Sequence, residues 1–191
     1  MFFVCSLKGQ KICDKIDYSK LKEETIMNTC VVYYSKNGNT KTAARYLAEK
    51  IDAKQIELSD ETKYKGIIGF VKGGMNASRK KAAHIKSSVL NEISGYERII
   101  LATPVWAGKT TPAINAVLQN ADLAGKLVYV VTTQADPECG GHDKRKSFYK
   151  EAVEQKGGIF KDCFSLCGSA PGKPAKSLKE LASQVDAKVK I

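Results

Sequence analysis

The strongest constraint on this chain is an alternation. Short apolar and β-branched runs recur at 29–34 (TCVVYY), 54–58 (KQIEL), 97–102 (ERIILA), 126–132 (KLVYVVT) and 159–166 (IFKDCFSL), with helical patterns between them. Several runs are nearly continuous in apolar residues, the pattern of a strand covered on both faces by helices in a parallel sheet. The run at 54–58 is weaker and reads as an edge. Helices are expected at 40–51, with Ala44, Leu47, Ala48 and Ile51 on one side, and from Pro112, a good first-turn residue that Thr111 can cap. A third, more polar helix is expected at 143–156. A last one at 174–187 puts Leu178, Leu181, Ala182 and Val185 on one stripe. Strand and helix in this order predict a doubly wound α/β domain, and 191 residues suffice for one well-filled core.

Two stretches stand outside the alternation. Residues 1–28 carry mixed charge and read as an N-terminal extension ahead of a domain spanning 29–191. Residues 59–95 are long for one connection and read as an insert. They hold a glycine-rich turn, VKGGMN at 71–76, and then SRKKAAHIKSSVL, which predicts a helix.

The formal charge of +11 favours anionic partners through long-range steering. Seven Lys or Arg residues and no acid fall between Lys63 and Lys86. No nucleic-acid motif accompanies this charge, so a solvated basic face is the preferred reading and a nucleic-acid partner is not expected. Six cysteines, Cys5, Cys13, Cys30, Cys139, Cys163 and Cys167, match neither a zinc ribbon nor an iron–sulfur spacing and read as reduced thiols, with no metal site. No apolar run approaches the roughly 20 residues of a membrane span. The first residues lack the basic start of a secretory signal, so a cytoplasmic protein without membrane insertion is expected.

The segment YYSKNGNT, 33–40, joins a strand to a helix. At such a junction free N–H groups and the helix dipole favour an anion. Ser35 and Thr40 can donate hydroxyls there, and Asn37 and Asn39 can donate amides. Gly38 permits the left-handed backbone that gathers several N–H groups on one phosphate. The segment is neither GxGxxG nor GxxxxGK[ST], and it suits a phosphate monoester better than a magnesium triphosphate. Taken alone, it also fits a capped turn with no ligand.

The segment TPVWAGKTTPAI, 103–114, comes after the third strand, where open α/β sheets place ligands. Trp106, the single tryptophan, stands beside Ala107 and Gly108 and can wall a slot for a flat ring. A tryptophan in the core is the other reading. Together the segments predict a flat ring on a phosphorylated tail.

The pairing of YYSKNGNT with ATPVWAGKTTPAI resembles the flavodoxin-like FMN-binding proteins, particularly small flavodoxin-domain proteins with a GG-containing insert before the third strand. The resemblance covers about 29–188. It implies a three-layer fold with a five-stranded parallel sheet in the order 2-1-3-4-5 and FMN at the carboxyl edge. Ser35, Asn37, Gly38, Asn39 and Thr40 are similar to the loop that holds the ribityl phosphate. Thr103, Pro104, Val105, Trp106, Ala107 and Gly108 are similar to the first ring-binding loop. The third loop is implied at 132–142, where Thr133, Gln134, Gly140 and Gly141 are the candidates for holding the pyrimidine edge. The resemblance also implies that the Ala107–Gly108 peptide turns its carbonyl toward flavin N5 on reduction.

The chain departs from the electron-transfer flavodoxins in two ways. Apart from His142, the segment 132–142 has no aromatic residue to stack over the outer ring face, and the basic charge is opposite to theirs. The preferred function is an FMN-binding electron-transfer protein whose redox partner has an acidic docking surface. A second reading is an FMN-dependent reductase using NADH or NADPH and a quinone or similar small acceptor. A third is a flavin-free basic binding module. A catalytic thiol at Cys139 is disfavoured because it has no CxxC partner. The segment 70–74 reads either as a flap over the site or as a plain turn.

Overall fold

A computed structural model describes residues 27–59 and 82–191. The N-terminal extension but for its last two residues, and the insert through its glycine-rich turn, lie outside the described residues. So does the candidate flap.

Five strands, β1 (Thr29–Tyr33), β2 (Lys54–Glu57), β3 (Arg98–Pro104), β4 (Leu127–Gln134) and β5 (Ile159–Cys167), form one sheet in the order β2-β1-β3-β4-β5. All four pairings are parallel. Five described helices alternate with them: α1 (Asn39–Lys50), α2 (Ser87–Ser94), α3 (Pro112–Asn120), α4 (His142–Glu154) and α5 (Leu178–Lys188). This is the three-layer, doubly wound α/β architecture that the alternation predicts.

Period-2 side-chain direction splits each strand between two cores. Cys30, Val32, Ile99, Leu101, Val128 and Val130 pack with Ile93 of α2, Ile114 and Val117 of α3, and Tyr149 and Val153 of α4. Val31, Tyr33, Ile100, Ala102 and Val131 pack on the other face with Ala44 and Leu47 of α1 and Leu181 and Val185 of α5. Both faces are thus covered, which is why the strands read as continuous apolar runs. β2 is an edge with Ile56 as its buried residue. On the far side β5 carries one extra residue opposite Val128 and Tyr129, since Val128 pairs with Phe160 and Tyr129 with Asp162.

Three local expectations are corrected. β3 and β4 run two residues further than the apolar runs suggest, because Thr103 pairs with Thr132, Pro104 with Thr133, and Gln134 with Cys167 of β5. Thr111 occupies the N-cap position of α3 but makes no side-chain cap; its hydroxyl lies 3.0 Å from that of Thr103. The last helix begins at Leu178 rather than 174, because Ser177 and Glu180 form a reciprocal capping box there. Among the described residues no helix is long and apolar enough to cross a membrane.

Candidate functional site

The chain leaves β1 to form α1 on one face and leaves β3 to form α3 on the other. The carboxyl ends of these neighbouring strands therefore open a crevice at the point where the winding reverses. A cavity of about 540 Å³ occupies it. Lys36, Asn37 and Asn39 line it after β1, Pro104, Val105 and Trp106 at the end of β3, and Thr133, Gln134 and Ala135 at the end of β4. The predicted segments thus converge, although about 100 residues of sequence separate the first from the third.

The first loop is pre-shaped. Gly38 has φ +93° and occupies the N-cap of α1. Its N–H donates to Ser35 Oγ at 3.2 Å, so Ser35 folds the loop and does not itself line the cavity. Among the described residues no side chain caps α1, which leaves its first-turn N–H groups available to an anion. Thr40 is buried behind the loop, with its hydroxyl 2.6 Å from that of Thr133. Two hydroxyls sharing one hydrogen bond still hold one O–H hydrogen to donate elsewhere.

The second loop is a tight hairpin. Trp106 and Lys109 exchange both backbone hydrogen bonds at 2.9 Å, around a two-residue turn with φ +48° at Ala107 and +73° at Gly108. Positive φ at both central positions is the I′ pattern. The turn projects Ala107 and Gly108 away from the lining and presents Trp106, which is 6% exposed. Trp106 meets the edge of Tyr34 at a centroid distance of 5.5 Å and 84° between planes, and Lys36 Nζ stands 5.4 Å from its ring centroid. Burial holds the Lys36 ammonium below the usual lysine range. Among the described residues, no carboxylate lines the cavity.

The third loop divides. Thr133 and Gln134 line the cavity, and Gln134 Nε2 is buried without a hydrogen-bond partner among the described residues. Gly140 and Gly141 do not line it. The Asp136 carboxylate accepts the Glu138 N–H at 3.0 Å and the Gly140 N–H at 2.7 Å, while Arg145 Nη1 donates to the Gly140 carbonyl at 2.8 Å. A Cβ on Gly140 would lie 2.8 Å from Asp136 Oδ2, so these glycines build the turn behind the site. His142 points to Ser165 Oγ at 2.9 Å, and the Cys139 thiol faces the Ser165 carbonyl at 3.8 Å. Thr103, buried at the end of β3, supports the second loop through Thr111.

One wall escaped the sequence reading. Gly168, Ser169, Pro171 and Gly172 in the loop after β5 also line the cavity. Their glycine, serine and proline content marks a turn, but nothing local marks it as reaching back to α1.

The flavodoxin family profile matches residues 28–166, most of the chain. The chain belongs to the flavodoxin family. No protein of curated function matches it. Among solved structures, this flavodoxin-family chain is similar to a flavoprotein from Lactobacillus acidophilus solved in complex with FMN: 20% identity, TM-score 0.58, covering 73% of this chain and 92% of that one. It is also similar to a WrbA-like flavodoxin from Agrobacterium tumefaciens, at 17% identity and TM-score 0.58, covering 84% and 93%. A Trp repressor binding protein from Bacillus subtilis gives 15% identity and TM-score 0.60 over 83% and 98%. At these identities the likeness is one of fold.

The residues present fit an FMN-like ligand. The α1 N-terminus and Lys36 suit a phosphate. Trp106 and Val105 make an apolar wall, and the orphan Gln134 amide needs an acceptor such as a ring carbonyl.

Proposed function

We propose that this protein binds FMN in the crevice after β1, β3 and β4 and works as an electron-transfer flavoprotein of the cytoplasm. The buried, unpartnered Gln134 Nε2 in a cavity that Lys36 also lines carries the reading. A buried donor without a partner costs about 1–3 kcal/mol, and a ligand carbonyl would relieve it. Family membership and the FMN complex of the Lactobacillus acidophilus relative support the same ligand.

Bound there, FMN supplies reversible hydride and single-electron chemistry. The protein's own groups do the binding and tuning. Backbone N–H groups at the start of α1 and the Lys36 ammonium take the phosphate, with one O–H hydrogen of the Thr40–Thr133 pair in reserve. Trp106 sets one ring face, held upright by Tyr34 and the Trp106–Lys109 hairpin. Gln134 donates at the ring's polar edge. A cation and no carboxylate among the described wall residues favour electron-rich states of whatever is bound.

The net charge of +11 supports an acidic docking surface on a redox partner. The second reading, an NADH- or NADPH-dependent reductase of a quinone or similar small acceptor, draws on one observation. The β4 side of the cavity is lined by Thr133, Gln134 and Ala135, none of which has a ring to cover the outer flavin face.

The deciding experiment is an FMN-binding titration followed by stepwise anaerobic reduction with dithionite, then with NADH and NADPH. Passage through a one-electron stage favours the carrier. Prompt oxidation of a nicotinamide favours the reductase. Absence of flavin binding rejects both and leaves the basic binding module.

A further inference from the structure

Asn39 is the first residue of α1 and is 2% exposed. Its sequence context offers the amide as a phosphate donor, yet its side chain is engaged elsewhere. Nδ2 donates to Ser169 Oγ at 2.8 Å, and Oδ1 accepts the Lys176 N–H at 2.9 Å. Ser169 in turn donates to the Pro174 carbonyl at 2.5 Å, which closes the 169–174 turn on itself. A side chain 130 and 137 residues away in sequence thus holds both ends of the loop between β5 and α5.

Packing reinforces these bonds. A Cβ on Gly168 would lie 3.1–3.3 Å from Asn39 side-chain atoms, and one on Gly38 would lie 3.1 Å from Ala175 Cβ. The loop is pressed against the α1 N-terminus, and a methyl group at either contact would push its neighbour back by a few tenths of an ångström. From there Gly168, Ser169, Pro171 and Gly172 reach the cavity as a fourth wall, on the side of Asn37 and Asn39.

We infer that Asn39 is a positioning residue: it clasps the 168–176 loop as a wall over the site and retains the ligand through that loop rather than by touching its phosphate. The inference rests on the flavin reading above for its ligand, but the clasp itself exists without one. Two consequences separate it from a phosphate contact. Losing the clasp opens a wall that serves the whole ligand, so FMN and riboflavin suffer alike. Losing either side of the clasp breaks the same unit, so Asn39 and Ser169 substitutions do not multiply.

The test is the release rate of FMN and of riboflavin, followed by the recovery of flavin fluorescence, for the wild type, Asn39→Ala, Ser169→Ala and the double variant. Asn39→Ala is expected to speed release of both flavins by about tenfold, the size of one or two net hydrogen bonds. Ser169→Ala should come close to it, and the double variant should add little. Asn39→Asp keeps the acceptor for the Lys176 N–H but loses the donor to Ser169 Oγ, so riboflavin release returns only partway toward the wild-type rate while FMN, repelled by the new charge, stays fast. Acceleration of FMN alone in Asn39→Ala would make the amide a phosphate ligand and overturn the inference. Multiplying effects in the double variant would overturn it too. Hydrogen exchange of the 168–177 amides in the flavin-free protein decides the clasp independently. Faster exchange in Asn39→Ala supports it, and unchanged exchange overturns it. If the wild type held no flavin, the proposed function would fail while the exchange experiment still judged the clasp.

Discussion

The hydroxyls of Thr40 and Thr133 meet at 2.6 Å, tying the start of α1 to the end of β4 beneath the cavity floor. Both residues are buried, at 1% and 3% exposure, so each hydroxyl relies on the other. Thr40→Val is expected to cost about 1–3 kcal/mol, because it strands the Thr133 hydroxyl. Replacing both by valine keeps shape and removes both polar groups, and should recover most of that loss. Urea unfolding of the two singles and the double decides it; a double variant as unstable as the sum of the singles would refute the pairing.

Gln134→Met should separate stability from binding. The substitution keeps side-chain length and removes the unpartnered buried donor. Unfolding stability is expected to stay level or rise by about 1 kcal/mol, while FMN affinity falls roughly tenfold. Calorimetric unfolding and a binding titration read the two effects. A loss of both together would mean that Gln134 has a structural partner.

Trp106 is packed between Tyr34 and Lys36 while facing the cavity. Trp106→Ala is expected to weaken FMN and riboflavin alike and to brighten the emission of flavin that stays bound, since the stacked indole is gone. Aromatic contact of this kind contributes about 0.5–1.5 kcal/mol beyond buried area, so a loss of at least threefold is anticipated. Unchanged affinity and emission would assign Trp106 to packing alone.

The hairpin tip allows a test of backbone strain free of packing. A Cβ on Gly108 would meet nothing within 4 Å, yet φ there is +73°. Gly108→Ala should therefore cost about 1 kcal/mol purely through the left-handed backbone, and Ala107→Gly, at φ +48°, should relieve a similar strain. Thermal unfolding of the two variants should shift in opposite directions.

Asp162 and Lys146 form an ion pair at 2.6 Å between β5 and α4. Burial alone would raise the Asp162 carboxyl, but Lys146 and the Cys163 N–H outweigh it and hold it below its ordinary value of 3.8. A carboxyl depressed in the folded state stabilises above the unfolded pKa, and that stabilisation is lost as pH falls through the lower folded value. Both side chains are about two-fifths exposed, at 39% and 45%, so the effect is less than about 1 kcal/mol. Lys146→Met should lose this much near neutral pH, and the gap from the wild type should close as the pH drops below the carboxyl's range. A gap that persists in acid would trace the loss to packing instead.

The architecture was legible because its signals are local. Runs such as TCVVYY and KLVYVVT announce strands covered on both faces, and SKNGNT and TPVWAGK mark the loops at the carboxyl ends of two strands. The boundaries that moved, at Thr103, Pro104, Thr133 and Gln134, did so because ladder pairing continues past the apolar residues, between β3 and β4 as far as Thr133 and between β4 and β5 through Gln134.

Within one strand or turn, residue type alone determined the outcome: β-branched runs, Gly38 at a left-handed position, the Ser177–Glu180 box and a tryptophan at a strand end. Which groups remain free to meet a ligand was decided by contacts between segments far apart in sequence. Thr40 turned to Thr133 and Asn39 to Ser169, while Gln134 was left without a partner among the described residues. A donor's availability depends on what else folds within about 3 Å of it, and such distances arise only when the sheet brings the ends of its strands together.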